Sequence, residues 1–187
     1  MRALAIVAWL PCLVGVARAD AKKDIERHGK SKHHGAPPVP GAKPAALVNL
    51  FNEHTHEWLA VDPAEPPSQP EVDEFLRDHF TNKSMKMDEH LVGFLVAAAH
   101  DFHGDVVDVV SGFRHPKFNL MLRKKGHQVA RDSQHTHGNA IDFYLPKIPI
   151  AALHAWAKAR KAGGVGIYVT SGFVHMDTGP IRYWSGD

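Results

Sequence analysis

Apolar and polar residues alternate in several short stretches of the chain, which is the period-two pattern of half-buried β-strands. Residues 46–62 contain two such runs around a polar centre, and they predict a hairpin with its turn near His54 to His56. Further strands are predicted over residues 105–112 and 139–145. Three short strands are predicted at the end of the chain, over residues 166–170, 173–177 and 181–184.

Helical spacing of apolar residues marks the segments between these strands. Pro70 opens a short helix whose apolar face is expected to extend to Phe80. The longest helix precedes Gly104, a residue that suits a C-terminal cap. This longest helix is predicted over residues 87–103, and two more helices are predicted over residues 116–125 and 149–162.

The order of these elements indicates the fold class. Helices and strands do not alternate strictly, and tight turns such as Thr178-Gly179 join the last strands. This order predicts an α+β fold with a mainly antiparallel sheet and helices packed on one face. The predicted domain covers residues 45–187, which is long enough for a sizeable core.

The first 44 residues show neither the alternation of a β-strand nor the apolar spacing of an amphipathic helix. Residues 1–19 combine a cation at Arg2, an apolar run and the ending Ala17-Arg18-Ala19, which is the layout of a secretory signal peptide. The apolar run is shorter than the ~20 residues that span a bilayer, so we expect cleavage, no transmembrane segment afterwards, and a periplasmic or secreted protein. Residues 20–44 are rich in Lys, His, Gly and Pro, which predicts a disordered tether.

Charge and cysteine content narrow the class of function. Cleavage would remove Arg2 and Arg18 and take the formal net charge from +2 to 0. No basic stripe with interleaved aromatic residues remains, so we expect no nucleic-acid partner. The single cysteine, Cys12, lies in the predicted signal, which leaves no disulfide and no thiolate metal site. A transition metal would need His, Asp or Glu ligands, and the chain has 15 histidines.

Polar side chains interrupt two of the predicted strands on one face. Asp142 faces away from its apolar neighbours in residues 139–145, and His175 and Asp177 face away from theirs in residues 173–177. If these strands are neighbours, the three polar side chains lie on a common side of the sheet.

A further histidine, His135, lies in the loop that enters the Asp142 strand, and Gly138 allows the turn between them. Two imidazoles and a carboxylate form a donor set for Zn²⁺, and three such ligands without cysteine favour a catalytic site that keeps a position for water. Zinc would lower the pKa of that water to about 7 and polarise a carbonyl, which predicts hydrolysis assisted by a nearby carboxylate.

Several motifs resemble those of one family. The stretch SQHTHGNAID, residues 133–142, resembles the S-x-H-x-x-G-x-A-x-D motif of the D-alanyl-D-alanine carboxypeptidase group of zinc peptidases, which shares its fold with lysostaphin-type peptidases and the hedgehog domain. VVSGFRHP is similar to the family's S-G-Y-R-S-P, GGVGIY to its Gly-rich strand entry, and FVHMDTGPIRYW to its F-V-H-x-D-T-G-x-x-R-x-W ending. NEHTHEWLAV resembles the N-x-H-T-G-E hairpin of a periplasmic murein endopeptidase subgroup. The motifs occur in matching order over residues 48–184.

The resemblance implies an exported zinc metallopeptidase that hydrolyses peptide bonds in peptidoglycan stem peptides or in their cross-links, as a murein endopeptidase in preference to a carboxypeptidase. It places the ligands of one Zn²⁺ at His135, Asp142 and His175, while His137 falls on a variable motif position. Other divalent ions can enter such a site, so the native metal stays open.

The general base is implied less directly. Several relatives have a Glu three residues before the last ligand, where this chain has Gly172. Asp177 is the carboxylate that the subgroup supplies, and we predict it to be the base. The alternative interpretation is that Asp177 only orients a histidine by a hydrogen bond.

Supporting residues are also implied by the motifs. Arg114 matches the arginine of S-G-Y-R and is predicted to hold a peptide carboxylate or to stabilise the developing oxyanion. Ser133 is expected to support the His135 loop. Arg182 and Trp184 are expected to serve either in packing and salt bridges or in substrate contact. His54 and His56 are interpreted as structural.

Two other functions stay open at this level. A zinc-stabilised binding module without catalysis would share the fold, and Gly172 in place of the Glu keeps this alternative open. A histidine-rich metal carrier based on the tether would have several weak sites. The oligomeric state is not indicated.

Overall fold

One seven-stranded sheet organises the protein. A computed structural model describes residues 47–127 and 129–186, so the predicted signal peptide (residues 1–19) and tether (residues 20–44) lie outside the described residues. The spatial order of the strands is β2-β1-β3-β4-β6-β5-β7. They are β1 (Val48–Asn52), β2 (Trp58–Val61), β3 (Val106–Ser111), β4 (Ala140–Tyr144), β5 (Gly164–Tyr168), β6 (Phe173–Asp177) and β7 (Arg182–Gly186).

The pairing of the strands is mainly antiparallel. β1 pairs with β2, β3 with β4, and β6 with both β4 and β5 in antiparallel fashion, whereas β1–β3 and β5–β7 are parallel. The predicted α+β fold and the hairpin around His54 to His56 are therefore confirmed. Within the described part of the chain, no helix has the length and apolar character needed to cross a bilayer.

Four α-helices and one short 3-10 turn complete the described elements. They are α1 (Gln69–Phe75), α2 (His90–Asp101), α3 (Pro116–Lys124), the 3-10 turn (Gln134–His137) and α4 (Ile150–Arg160). Pro116 begins α3, as predicted, because the first residues of a helix need no N–H donor.

Two helix ends differ from the prediction, and in both cases the backbone hydrogen bonds give the reason. The apolar face expected to reach Phe80 stops at α1, because the N–H of Phe113 donates to the carbonyl of Leu76 at 2.8 Å and the chain leaves the helix there; Phe80 is 49% exposed. After α2, the residue with the left-handed backbone that ends the helix is His103 (φ 54°), one position before the predicted cap Gly104. The N–H of Gly104 donates to the carbonyl of Ala99 at 2.8 Å and closes the last turn.

The hydrophobic core lies on one side of the two central strands, β4 and β6. Ile141, Phe143, Val174 and Met176 are fully buried in a cluster with residues of α2 and α4. The residues contributed by these helices include Leu91, Leu95, Leu153 and Ala157. Burying each large apolar side chain contributes about 1.5–3 kcal/mol, so the strands are held firmly from this side. Their opposite side is left for polar groups.

Candidate metal centre and active site

The register between β4 and β6 brings the polar side chains together. Asp142 is the direct partner of His175 across the two antiparallel strands, and Ala140 is the partner of Asp177. Because alternate residues share a face, Asp142, His175 and Asp177 all lie opposite the core. The predicted placement of these three residues is what the backbone shows.

His135 reaches the same place from the 3-10 turn before β4. Gly138 ends this turn in the left-handed conformation (φ 74°). A Cβ at this position would lie 2.6 Å from the carbonyl oxygen of Lys86, so only glycine fits. The backbone N–H of Arg114 donates to the His135 carbonyl at 3.0 Å and ties the turn to the segment after β3. His135 itself is buried.

Three ligand atoms converge at this point. Nε2 of His135 lies 3.1 Å from Oδ2 of Asp142, and Nδ1 of His175 lies 2.8 Å from Oδ1 of Asp142. The two histidine nitrogens are 3.1 Å apart. All three residues are buried, and their ligand atoms lie within 4.8 Å of one another. Within residues 47–127 and 129–186, no other group of three or more His, Cys, Asp or Glu side chains is arranged so that it could hold a metal ion.

The hydrogen bonds behind the imidazoles define which nitrogens face inward. Nδ1 of His135 is 2.7 Å from the Gly112 carbonyl, and Nε2 of His175 is 2.9 Å from Oδ2 of Asp177. Both partners are acceptors only, so each of these nitrogens carries the hydrogen. When both histidines are neutral, the inward nitrogens are two lone pairs that face each other beside a carboxylate. Such a set repels itself unless a proton or a metal ion lies between its members, and its two imidazoles and carboxylate are the donor types of a divalent metal site.

Asp177 is the centre of a dense hydrogen-bond network. Its Oδ1 accepts the backbone N–H groups of Gly164 at 3.0 Å and Gly179 at 2.9 Å, and Nη1 of Arg182 at 3.1 Å. Its Oδ2 accepts Nη2 of Arg182 at 2.6 Å in addition to His175. The side chain is fully buried. It contacts the nitrogen of His175 that faces away from the other two ligands.

Burial and charge act in opposite directions on these groups. Burial lowers the pKa of His135, and the nearby Asp142 only partly offsets this, so the pKa lies below its ordinary value. Burial would raise the pKa of Asp142, but His135 and His175 bring it below its ordinary value. For His175, burial is outweighed by hydrogen bonds to Asp142 and Asp177, which raise the pKa. Burial likewise opposes ionisation of Asp177, but His175 and Arg182 hold its pKa well below the usual range. Both carboxylates are thus ionised at neutral pH.

A cavity of about 740 Å³ opens beside the three ligand residues. Its volume lies in the range of small-ligand sites. Residues from separate parts of the chain line it, among them Arg114, Phe118, Tyr168, Trp184, His54 and His79.

Arg114, predicted from the motif to lie at the site, lines this cavity together with the three ligand residues. Its Nη2 is 3.5 Å from Oδ2 of Asp142 and 3.4 Å from Oγ of Ser111. Its Nε is buried and has no hydrogen-bond partner among the described residues. Because Arg114 lines the cavity, its guanidinium can donate to an incoming anionic or carbonyl oxygen.

The other predicted residues take different positions. His137 is outside the ligand set: its Nε2 pairs with Asp132 at 2.6 Å, and half of the side chain is exposed. Ser133 is buried at the start of the 3-10 turn, where its carbonyl accepts the backbone N–H and the hydroxyl of Thr136. Arg182 forms the ion pair with Asp177, and the Trp184 ring lies 5.1 Å from that of His175.

Three features of the site were not found from the sequence. The Gly112 carbonyl, which orients His135, has no side-chain signal. His54, interpreted as structural, lines the cavity and stacks on His79 with ring centroids 3.9 Å apart. Tyr168 also lines the cavity, and its position two residues after Gly166 on a strand beside β6 was the available signal.

Comparisons with known proteins find a family model and relatives that are similar to this chain. Residues 42–184 match the model of the family described as peptidoglycan L,D-endopeptidase MepK. The chain is 35% identical over 141 residues to the probable peptidoglycan L,D-endopeptidase MepK of Haemophilus influenzae, covering 74% of this chain and 76% of the relative. It is 36% identical over 148 residues to the peptidoglycan L,D-endopeptidase MepK of Escherichia coli K12, covering 74% of this chain and 79% of the relative. No solved structure gives a significant match.

Proposed function

The chain belongs to the peptidoglycan L,D-endopeptidase MepK family, and from this premise we propose that it is a zinc-dependent endopeptidase that hydrolyses peptide cross-links in peptidoglycan. The observation that carries the proposal is the convergence of Nε2 of His135, a carboxylate oxygen of Asp142 and Nδ1 of His175 beside a cavity. The relatives' names support peptide hydrolysis in preference to a binding module without catalysis.

His135, Asp142 and His175 would hold the metal, and we propose zinc because two imidazoles and one carboxylate without a thiolate are typical of catalytic zinc sites. When bound, zinc supplies Lewis-acid polarisation of a carbonyl and lowers the pKa of water to about 7. The chain prepares the ligands for this. The Gly112 carbonyl and Asp177 hold the hydrogens of the two histidines on their outer nitrogens, so that the inner nitrogens are free to bind.

Asp177 acts, in this proposal, by orienting His175. The support is geometric: its two oxygens already accept five N–H groups, and it lies behind His175 as seen from the other ligands. A carboxylate that is buried and fully occupied is a poor acceptor for a further proton. The general-base role predicted for Asp177 stays a prediction, and the zinc affinity of Asp177→Asn separates the two roles.

Arg114 steadies the substrate. Its side chain lines the cavity, and its Nη2 lies beside Asp142, so the guanidinium is positioned where a substrate would enter. A substrate carboxylate there would receive a charge-assisted hydrogen bond. Stem peptides end in carboxylates, which agrees with this role.

The protein would work outside the cytoplasm. Residues 1–19 have the layout of a cleaved signal peptide, and residues 20–44 have the composition of a tether ahead of the catalytic domain. This location places the enzyme where its proposed substrate is found.

The experiment that tests the proposal uses the mature chain, residues 20–187, with isolated murein sacculi and mass spectrometry of the products. We expect cross-linked dimers to be lost, the reaction to stop with a chelator and to return with zinc. His135→Ala should abolish zinc binding and cleavage. His137→Ala is the matched control and should keep both, because His137 lies outside the ligand set, where its Nε2 pairs with Asp132. Trimmed stem peptides with intact cross-links would instead identify a carboxypeptidase, and a zinc-loaded protein that released nothing would contradict the proposal.

A further inference from the structure

Tyr168 is a side chain of the cavity to which the motifs assign no role. It is the last residue of β5, and it lies on the same face as Gly166, the direct partner of His175 across β5 and β6. The hydroxyl-bearing ring therefore stands on the side of the sheet that carries the ligand set.

The ring of Tyr168 is confined on two sides. It stacks on Phe173 with centroids 4.6 Å apart and planes inclined by 22°. On another side it packs against the backbone of Gly186, where an added Cβ would lie 2.7 Å from the ring. A phenol held in this way has little freedom to move away from the cavity, which is the condition for a preorganised donor.

The hydroxyl of Tyr168 is oriented by Trp184. Nε1–H of Trp184 donates to the tyrosine oxygen at 3.1 Å, so this oxygen is an acceptor towards the indole. The indole in turn covers Gly166, where a Cβ would lie 2.5 Å from the ring, and it lies next to His175. Trp184 thus links the position of the hydroxyl to that of a metal ligand.

The hydrogen of this hydroxyl is left available. Among residues 47–127 and 129–186 no acceptor takes it, although the side chain lines the cavity. Burial raises the pKa of Tyr168 above its ordinary value, although the indole N–H and Arg114 lower it. The phenol is therefore a neutral donor at physiological pH.

We infer that Tyr168 is a catalytic hydrogen-bond donor whose hydroxyl donates to the carbonyl oxygen of the scissile peptide as that oxygen gains negative charge. The inference rests on the proposed peptidase function and adds a residue to it. Arg114 lies at the cavity wall beside Asp142 and serves the substrate carboxylate, so the two donors act on different oxygens. No proton transfer is required of Tyr168, because the hydrogen bond only strengthens during the reaction.

The test compares Tyr168→Phe with wild type in two measurements. Loss of one donor to an oxyanion lowers kcat by about 100- to 1000-fold, and we expect that fall with a change in KM of less than about threefold. A phosphinate analogue of the cross-link peptide, which carries a tetrahedral anionic centre, should bind Tyr168→Phe with affinity reduced by at least about tenfold. Binding of the uncleaved substrate to metal-free protein should not change.

Tyr144→Phe is the matched control. The Tyr144 hydroxyl donates to Glu53 at 2.6 Å and does not line the cavity, so this variant should keep kcat and phosphinate affinity. Zinc content and thermal unfolding of both variants show whether either change has disturbed the ligands or the fold.

The outcomes separate the inference from the function on which it rests. If wild type cleaves cross-links and Tyr168→Phe keeps kcat within about threefold, or loses kcat without losing phosphinate affinity, the donor role of Tyr168 is wrong and the peptidase function stands. If Tyr168→Phe loses zinc together with activity, the residue acts through the fold and the inference is also overturned. A wild-type protein that neither cleaves the peptide nor binds the phosphinate would remove both.

Discussion

Replacing Asp177 by asparagine changes one atom and tests the role of this carboxylate directly. Each of the two oxygens of Asp177 accepts N–H donors: Gly164, Gly179 and Arg182 donate to Oδ1, and Arg182 and His175 donate to Oδ2. The NH₂ group of asparagine must face donors on one side or the other. If it faces His175, the imidazole has to move its hydrogen to Nδ1, the nitrogen that points at Asp142.

The expected loss of metal affinity follows from this tautomer change. Removal of a hydrogen-bond acceptor behind a metal-binding histidine typically weakens metal binding 10- to 100-fold, which corresponds to about 1.4–2.7 kcal/mol. If the amide instead faces Gly164 and Gly179, buried N–H groups lose their acceptor at about 1–3 kcal/mol each, which costs folding stability. The loss of two buried hydrogen bonds at Gly164 and Gly179 costs as much free energy as the loss of metal affinity, or more. We therefore expect the NH₂ group to face His175 and the protein to bind the metal less tightly.

The assay is a competition for zinc between the protein and a chromophoric chelator, with cleavage of murein dimers measured at low and at saturating zinc. Asp177→Asn should show the weaker binding, and excess zinc should restore most of the activity. Asp132→Asn is the control for zinc affinity, since Asp132 is largely exposed and pairs with His137 outside the ligand set. Zinc affinity equal to that of wild type, together with activity that no zinc concentration restores, would refute the orienting role and identify Asp177 as the general base.

Three further predictions concern the support of the site. Gly138→Ala should displace His135, because the added Cβ meets the Lys86 carbonyl, and zinc titration should show weaker binding. Gly172→Ala is the control: its Cβ meets no atom, so denaturant unfolding should show a loss of only about 1–2 kcal/mol in folding free energy, caused by the left-handed backbone. Arg114→Gln should raise KM for peptides with a free carboxylate by about tenfold or more, but not for their amides, in steady-state kinetics. Zinc at 100 times its Kd should stabilise the folded protein by about 2.7 kcal/mol, measured as a rise in Tm that a chelator reverses.

Much of the site could be predicted from local patterns. Strand alternation alone places Asp142 and His175 opposite the core, because side chains two residues apart share a face whatever the strand pairs with. The motif around His135 and Gly138 likewise describes a single turn, and the left-handed Gly138 that ends it is marked by the glycine itself. Such features depend on neighbours in the chain, so the sequence carries them.

The tertiary structure decided what depends on distant partners. The acceptor that orients His135 is 23 residues away, and the nitrogen that His135 faces on His175 is 40 residues away. The end of α1 at Leu76 depends on an N–H from Phe113, and the hydroxyl of Tyr168 is oriented by an indole on another strand. No local period records these contacts, because they arise only when strand order and register have brought separate segments together. The sequence by itself therefore determined which side chains face the site, and the fold determined which of their atoms are free to act there.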